Sequence, residues 1–182
     1  MTDSRVEELG SEACTLRWSV RSSFRDYVRT LPDGREELFG LSTLTQGRLQ
    51  FALATEPGNQ WPGSEPAASV PTDRTYAFVG AIAWWGHGGA LDVELRDPQV
   101  HLVVSGRSTV SVAAKNTGDR SAIAAFTEWK VVGHNILVPL PRLTWAGVSL
   151  LGDVYQVGDA LDPMEVGPLA DSRACPADEP IT

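Results

Sequence analysis

TYAFVGAIAWWGHGGALDVELRDPQVHLVVSG, residues 75–106, decides the fold class. Its first part, TYAFVGAIAWWG, is rich in aromatic and β-branched residues and reads as extended chain. GHGG (86–89) is turn chemistry. ALDVELRD (90–97) and VHLVVSG (100–106) read as two further strands, with Asp97-Pro98 between them. No helical pattern separates these runs, and strands that follow one another without crossover helices favour an antiparallel sandwich or barrel over a parallel α/β sheet. The same texture continues on both sides. RLQFALATE (48–56) alternates, and STVSVAAK (108–115), SAIAAFTEW (121–129) and NILVPLP (135–141) follow, separated by NTGD and VGH. RLTWAGVSLLG (142–152) is a candidate short second helix with irregular apolar spacing, and VYQVGDALDPMEV (154–166) closes the fold.

Upstream, LRWSVRSSFRDYVRTL (16–31) changes period. Val20, Phe24, Tyr27, Val28 and Leu31 share one face of a helix, and Arg17, Arg21, Arg25 and Arg29 form a basic stripe beside it, read as a solvated face. Pro32-Asp33-Gly34 ends the helix. The predicted class is therefore mainly β: an antiparallel β-sandwich or barrel-like domain with one N-terminal amphipathic helix and a short second one.

A chain of 182 residues, 42% hydrophobic and 21% charged, suits one globular domain with a sizeable core. The net charge of −8 sits mostly at the ends, with −3 in residues 1–12 and −3 in residues 165–182. It speaks against broad nucleic-acid binding, which needs a basic footprint. No run approaches the roughly 18 apolar residues of a membrane span. Residues 1–13 read as a polar leader without the basic and apolar regions of a secretory signal, which sets cytoplasmic location as the expectation. Residues 14–166 form the expected domain and 167–182 a disordered tail. Residues 56–72, rich in Pro, Gly and Ser, read as a long loop. Cys14 and Cys175 form no CxxC pair and read as free thiols.

The phosphate-binding loop, the dinucleotide fingerprint and the GxSxG elbow are all absent from the sequence. His87, His101 and His134 lie in no zinc-binding spacing. His101 reads as structural and His134 as a turn residue. Tyr27 on its own pattern is a core tyrosine seeking a hydrogen-bond partner. His87, among Gly86, Gly88 and Gly89, is either a turn residue or lies where glycines let a flat ligand approach the backbone.

Three segments in order add a resemblance. LRWSVRSSFRDYV (16–28) carries Leu16, Trp18, Ser23, Phe24 and Tyr27. GAIAWWGHGGALDVELRDPQV (80–100) carries Gly86, His87, Gly89, Leu91, Pro98 and Val100. LTWAGVSLLGDVYQVGDALDP (143–163) carries Tyr155, Gly158 and Asp162-Pro163. Together these resemble the HtaA family of actinobacterial haem-uptake domains, over about residues 16–166. The resemblance implies Tyr27 as haem-iron ligand and His87 as its support, with ferric haem b as the cofactor. A phenolate is a hard anionic ligand suited to ferric iron. A free phenol ionises near pH ~10, so a neighbouring hydrogen-bond donor must stabilise the anion. Phe24, Trp84 and Trp85 become candidates to line the porphyrin, the two tryptophans pointing to opposite faces of a strand. Arg25 becomes a candidate partner for a propionate, as does Arg29.

The leading expectation is a haem carrier, buffer or delivery protein in the cytoplasm, with haem or another flat apolar molecule as partner and a homodimer left open. Neither nucleic acid nor membrane is expected as a partner. The alternative is a small biosynthetic enzyme, haem-dependent or a haem-free cyclase or isomerase, using the same Tyr27–His87 pocket as an acid–base pair. A third reading is an interaction module presenting the loop around Trp61.

Overall fold

The computed structural model describes residues 14–56, 59, 61 and 72–168. The expected polar leader, most of the Pro/Gly loop, Cys175 and the tail beyond Pro168 lie outside the described residues. In chain order the elements are β1 (Cys14–Trp18), α1 (Ser22–Thr30), β2 (Arg35–Phe39), β3 (Thr43–Thr45), β4 (Arg48–Leu53), β5 (Arg74–Val79) and β6 (Ala81–Gly86). A 3-10 turn at His87–Gly89 leads into β7 (Leu91–Leu102). Then come β8 (Ser108–Ala113), β9 (Arg120–Phe126), β10 (Lys130–Val132), β11 (Asn135–Val138), β12 (Arg142–Leu143), α2 (Trp145–Leu150) and β13 (Met164–Pro168).

The strands form one antiparallel sheet in the order β10-β11-β13-β1-β4-β5-β7-β8-β9-β12, with β2 paired to β6, β6 to β7 and β3 to β4. Leu16, Trp18, Phe51, Ile136 and Val166 from one half meet Ile82, Trp84, Leu95, Val110 and Ile123 from the other in a single buried core. The expected class, mainly β and antiparallel with two helices, is the observed one. No helix among the described residues is long and apolar enough to cross a membrane.

Several boundaries differ from the sequence reading, each for a physical reason. Residues 14–18 are a strand, not the first turn of a helix: β1 lies between β4 and β13, and all five of its residues are buried. Arg17 is thereby taken from the expected solvated stripe into a buried position, where it pairs with Glu165 at 3.0 Å. Val20, at φ 63°, turns the chain into α1. ALDVELRD and VHLVVSG are one strand, not two. Its first half pairs with β6 and its second with β5, and Asp97-Pro98 sits in a bulge at the changeover. Proline has no N–H for a ladder, and a bulge accommodates it. Asp97 locks the bulge, its N–H donating to Gly80 O at 2.8 Å while its Oδ1 accepts from Gly80 N at 2.9 Å. Gly167 and Pro168, read as tail, finish β13 opposite Thr15 and Cys14. Trp61, read as an exposed contact residue, packs on Tyr76 with ring centroids 5.1 Å apart. Cys14 is a free, buried thiol, and burial pushes its pKa up to about 12 despite nearby Arg17.

α1 is short and cannot hold itself; helices below about 12 residues depend on tertiary contacts. Its start is capped from far along the chain, where the Ser22 N–H donates to Asp162 Oδ2 at 2.9 Å and the Ser22 hydroxyl donates to the same oxygen. Its buried face is held by Glu36 on β2. Arg25 donates to both carboxylate oxygens, at 2.7 and 2.9 Å, and Arg29 donates to Oε1 at 3.0 Å. Trp84 Nε1 donates to Oε2 at 2.8 Å. The third arm of Arg25 donates to Gly47 O at 2.8 Å. Phe24 packs edge-on against Trp84, with centroids 5.5 Å apart.

Burial alone would raise the Glu36 pKa, but hydrogen bonds from Arg25 and Trp84 and the charges of Arg25 and Arg29 outweigh it and hold it at about 2, against 4.5 for the free group. A depressed carboxyl pKa stabilises the fold fully above the unfolded value, and the contribution disappears as pH falls through the folded one. Acid titration of the wild type followed by circular dichroism is therefore expected to lose on the order of 3 kcal/mol from this group between pH 4.5 and 2. Glu36→Gln flattens that limb and, by leaving a buried arginine without its counter-charge, costs about 3 kcal/mol at neutral pH in urea denaturation.

Candidate functional site

Tyr27 leaves α1 on its open side, 45% exposed, whereas Phe24 and Val28 point into the core. The expectation of a core tyrosine is thus corrected. A nine-residue helix offers a narrow apolar stripe, and Phe24, Arg25 and Val28 fill it. Its phenolic oxygen meets His87 Nε2 in a hydrogen bond, with the two rings tilted and their centroids 5.9 Å apart. The two residues lie 60 apart in sequence. The pair predicted from sequence is brought together, on the surface.

His87 owes its position to an unusual backbone. It adopts φ 53°, in the left-handed region, and Gly88 and Gly89 follow at 63° and 96°. A non-glycine residue there costs roughly 1 kcal/mol and needs compensation. The consecutive left-handed residues turn two N–H groups toward one point, an arrangement that receives an anion. Asp33 fills it, accepting from His87 N at 3.1 Å and Gly88 N at 2.6 Å. The Gly88 bond, and after some opposing desolvation the His87 bond, hold the Asp33 carboxyl below its ordinary range.

Asp33 was legible in sequence only as part of the Pro-Asp-Gly helix stop, and its grip on residue 87 was missed. The signal was present in an acidic turn residue and a Gly-rich turn, but their 54-residue separation hides the contact. Gly34 belongs to the same device: a Cβ there would stand 1.8 Å from Val28 O, so only glycine fits the turn against the helix end.

The other predicted site residues fall elsewhere. Phe24 and Trp84 are 1% and 0% exposed and Arg25 is 2% exposed. They present no surface to a ligand in this conformation, and Arg25 is committed to Glu36 rather than to a propionate. These are corrections, because Phe24 and Arg25 lie on the face of α1 that packs, and Trp84 lies on the part of β6 that receives it. Trp85 is half-buried on the face of β6 opposite Trp84 and meets Phe39 edge to face at 6.2 Å, away from α1. Arg29 keeps its guanidinium on Asp26 and Glu36. His101 is exposed and hydrogen-bonded to Thr75 at 2.8 Å. Two clefts, of about 420 and 430 Å³, lie near Phe39, Leu53 and Arg96 and near Glu94, Ile123 and Leu150. Neither is lined by Tyr27 or His87.

The arrangement can do two things. Its outward phenolic oxygen is a hard donor accessible to a metal centre, and the imidazole nitrogen beside it can take the phenolic proton or donate to the resulting phenolate. Among the described residues no group of three or more His, Cys, Asp or Glu is placed to hold a bare ion.

A model of the HtaA family, described as Htaa, matches residues 13–167. The N-terminal domain of HtaA from Corynebacterium glutamicum has a similar structure, with TM-score 0.66 and 22% identity over 87% of this chain and 98% of that one. Its C-terminal domain gives 0.63 and 19% over 86% and 95%. The haem-binding protein HtaB of the same organism gives 0.59 and 18% over 85% and 92%. No curated protein matches the chain. With a family match spanning nearly every described residue and a fold shared with HtaA domains, the chain belongs to the HtaA family.

Proposed function

We propose that this domain binds ferric haem b with Tyr27 as the residue that would hold the iron and His87 as the residue that would hold the phenolate, and that it carries or delivers haem. The observation that carries this reading is the Tyr27–His87 contact: an exposed phenol with an imidazole nitrogen on its oxygen. Family membership and the haem binding of HtaB support it.

The residues fit the group. One outward oxygen donor would suit an iron already held by the four nitrogens of a porphyrin, and tyrosinate ligation of haem has precedent. The Tyr27 hydroxyl and His87 Nε2 share a hydrogen bond. Ligation requires the phenol to lose its proton, and His87 stands as the acceptor. The imidazole then donates to the phenolate and stabilises it.

The setting favours carriage. Tyr27 is 45% exposed, so haem held on its oxygen would stand where an acceptor can reach it. A buried pocket would hold haem longer and release it more slowly.

Titration of the protein with ferric haem is expected to give saturable one-to-one binding and a tyrosinate-type charge-transfer absorption. Tyr27→Phe loses both. His87→Ala keeps the ligand oxygen and weakens binding by roughly 10–100-fold, the usual effect of removing a ligand's supporting partner. Wild-type affinity in Tyr27→Phe sinks the assignment.

A further inference from the structure

We infer that Asp33 is the positioning residue of the site, fixing His87 against Tyr27 by binding the backbone of the His87 turn; the inference rests on the haem-binding reading above. Three observations converge on it. The Asp33 carboxylate accepts from the N–H groups of His87 and Gly88. Those residues hold left-handed conformations at φ 53° and 63°, a region that residues other than glycine enter uncommonly. Asp33 also sits in the turn that ends the helix carrying Tyr27, three residues beyond its last residue Thr30. One carboxylate therefore ties the end of Tyr27's helix to the backbone of Tyr27's partner.

The contact between them is single, since among the described residues the His87 side chain has Tyr27 as its hydrogen-bond partner. Without Asp33, two backbone donors lose their acceptor and the turn relaxes toward right-handed conformations, which swings the imidazole away. Leu31 adds a second hold, lying over Gly86 so that a Cβ there would stand 2.5 Å from Leu31 Cδ1. That contact fixes the end of β6 but not the rotation of residue 87, which leaves the carboxylate as the determinant of where the ring points.

The test combines a double-mutant cycle with a measurement that needs no haem. Ferric haem titration of Asp33→Ala is expected to show about tenfold weaker binding with the charge-transfer band displaced in the direction seen for His87→Ala. In the His87→Ala background the same substitution costs less than about twofold, because its effect passes through the histidine. Asp33→Asn, which keeps one acceptor oxygen, falls between. A full tenfold loss in the His87→Ala background, or wild-type affinity in Asp33→Ala, overturns the inference. In haem-free protein, Asp33→Ala speeds amide hydrogen exchange at His87 and Gly88 and shifts the His87 ring resonances, while Tyr27→Phe leaves those amides protected. Unchanged exchange and unchanged ring resonances in Asp33→Ala overturn it as well. If the wild type binds no haem, the proposed function fails and this second arm alone decides the role of Asp33.

Discussion

The carboxylate of Glu36 is the point on which the rest of the molecule turns. Four N–H donors from three side chains converge on its two oxygens. They come from α1 and β6, while Glu36 itself sits on β2. A buried carboxylate is costly unless it is paired and hydrogen-bonded. Here every donor that satisfies it also fastens an element to its neighbour. A helix of nine residues with no side-chain cap of its own would otherwise be marginal. Fixing that helix is what gives Tyr27 a definite place. The exposed chemistry of this domain is supported by buried electrostatics one turn below it.

This division of labour explains why the family's motif residues play such different parts. Phe24 and Tyr27 are three apart in the same helix, yet one is sealed against Trp84 and the other faces solvent. Trp84 and Trp85, adjacent on β6, separate in the same way, one bonding Glu36 and one packing on Phe39. Residues that look like a pocket when read along the chain are, in the fold, the packing beneath the exposed Tyr27–His87 contact.

Much of this was legible in the sequence. The antiparallel class followed from runs such as 75–106, where period and turn chemistry agree. The Tyr27–His87 pair followed from the family resemblance, not from spacing. What escaped depended on long-range contacts. Residues 14–18 repeat with a period compatible with the helix that follows, and pairing with β4 and with β13, the latter some 150 residues away, makes them a strand. Asp97-Pro98 resembles a strand break because local chemistry cannot show that Gly80 will complete a bulge. Arg17 and Arg25 match a solvated stripe by charge alone, and their burial depends on Glu165 and Glu36. β2 and β3 went unread, since REELF and TLT are too polar or too short to stand out before β6 and β4 pair with them.

The cap on α1 has a consequence for the order of assembly. Ser22 is held by Asp162, 140 residues later, and Trp18 Nε1 donates to the carbonyl of the same residue at 2.9 Å. Of the two neighbours of β1, one, β13, likewise lies at the far end of the domain. As the chain emerges from the ribosome, Tyr27 and His87 are both made long before the segment that anchors the tyrosine's helix. Closing loops of that length makes folding slow and late. The nascent chain therefore cannot fix Tyr27 against His87 until Asp162 and β13 have been made, and the pair is completed together with that final strand of the described residues.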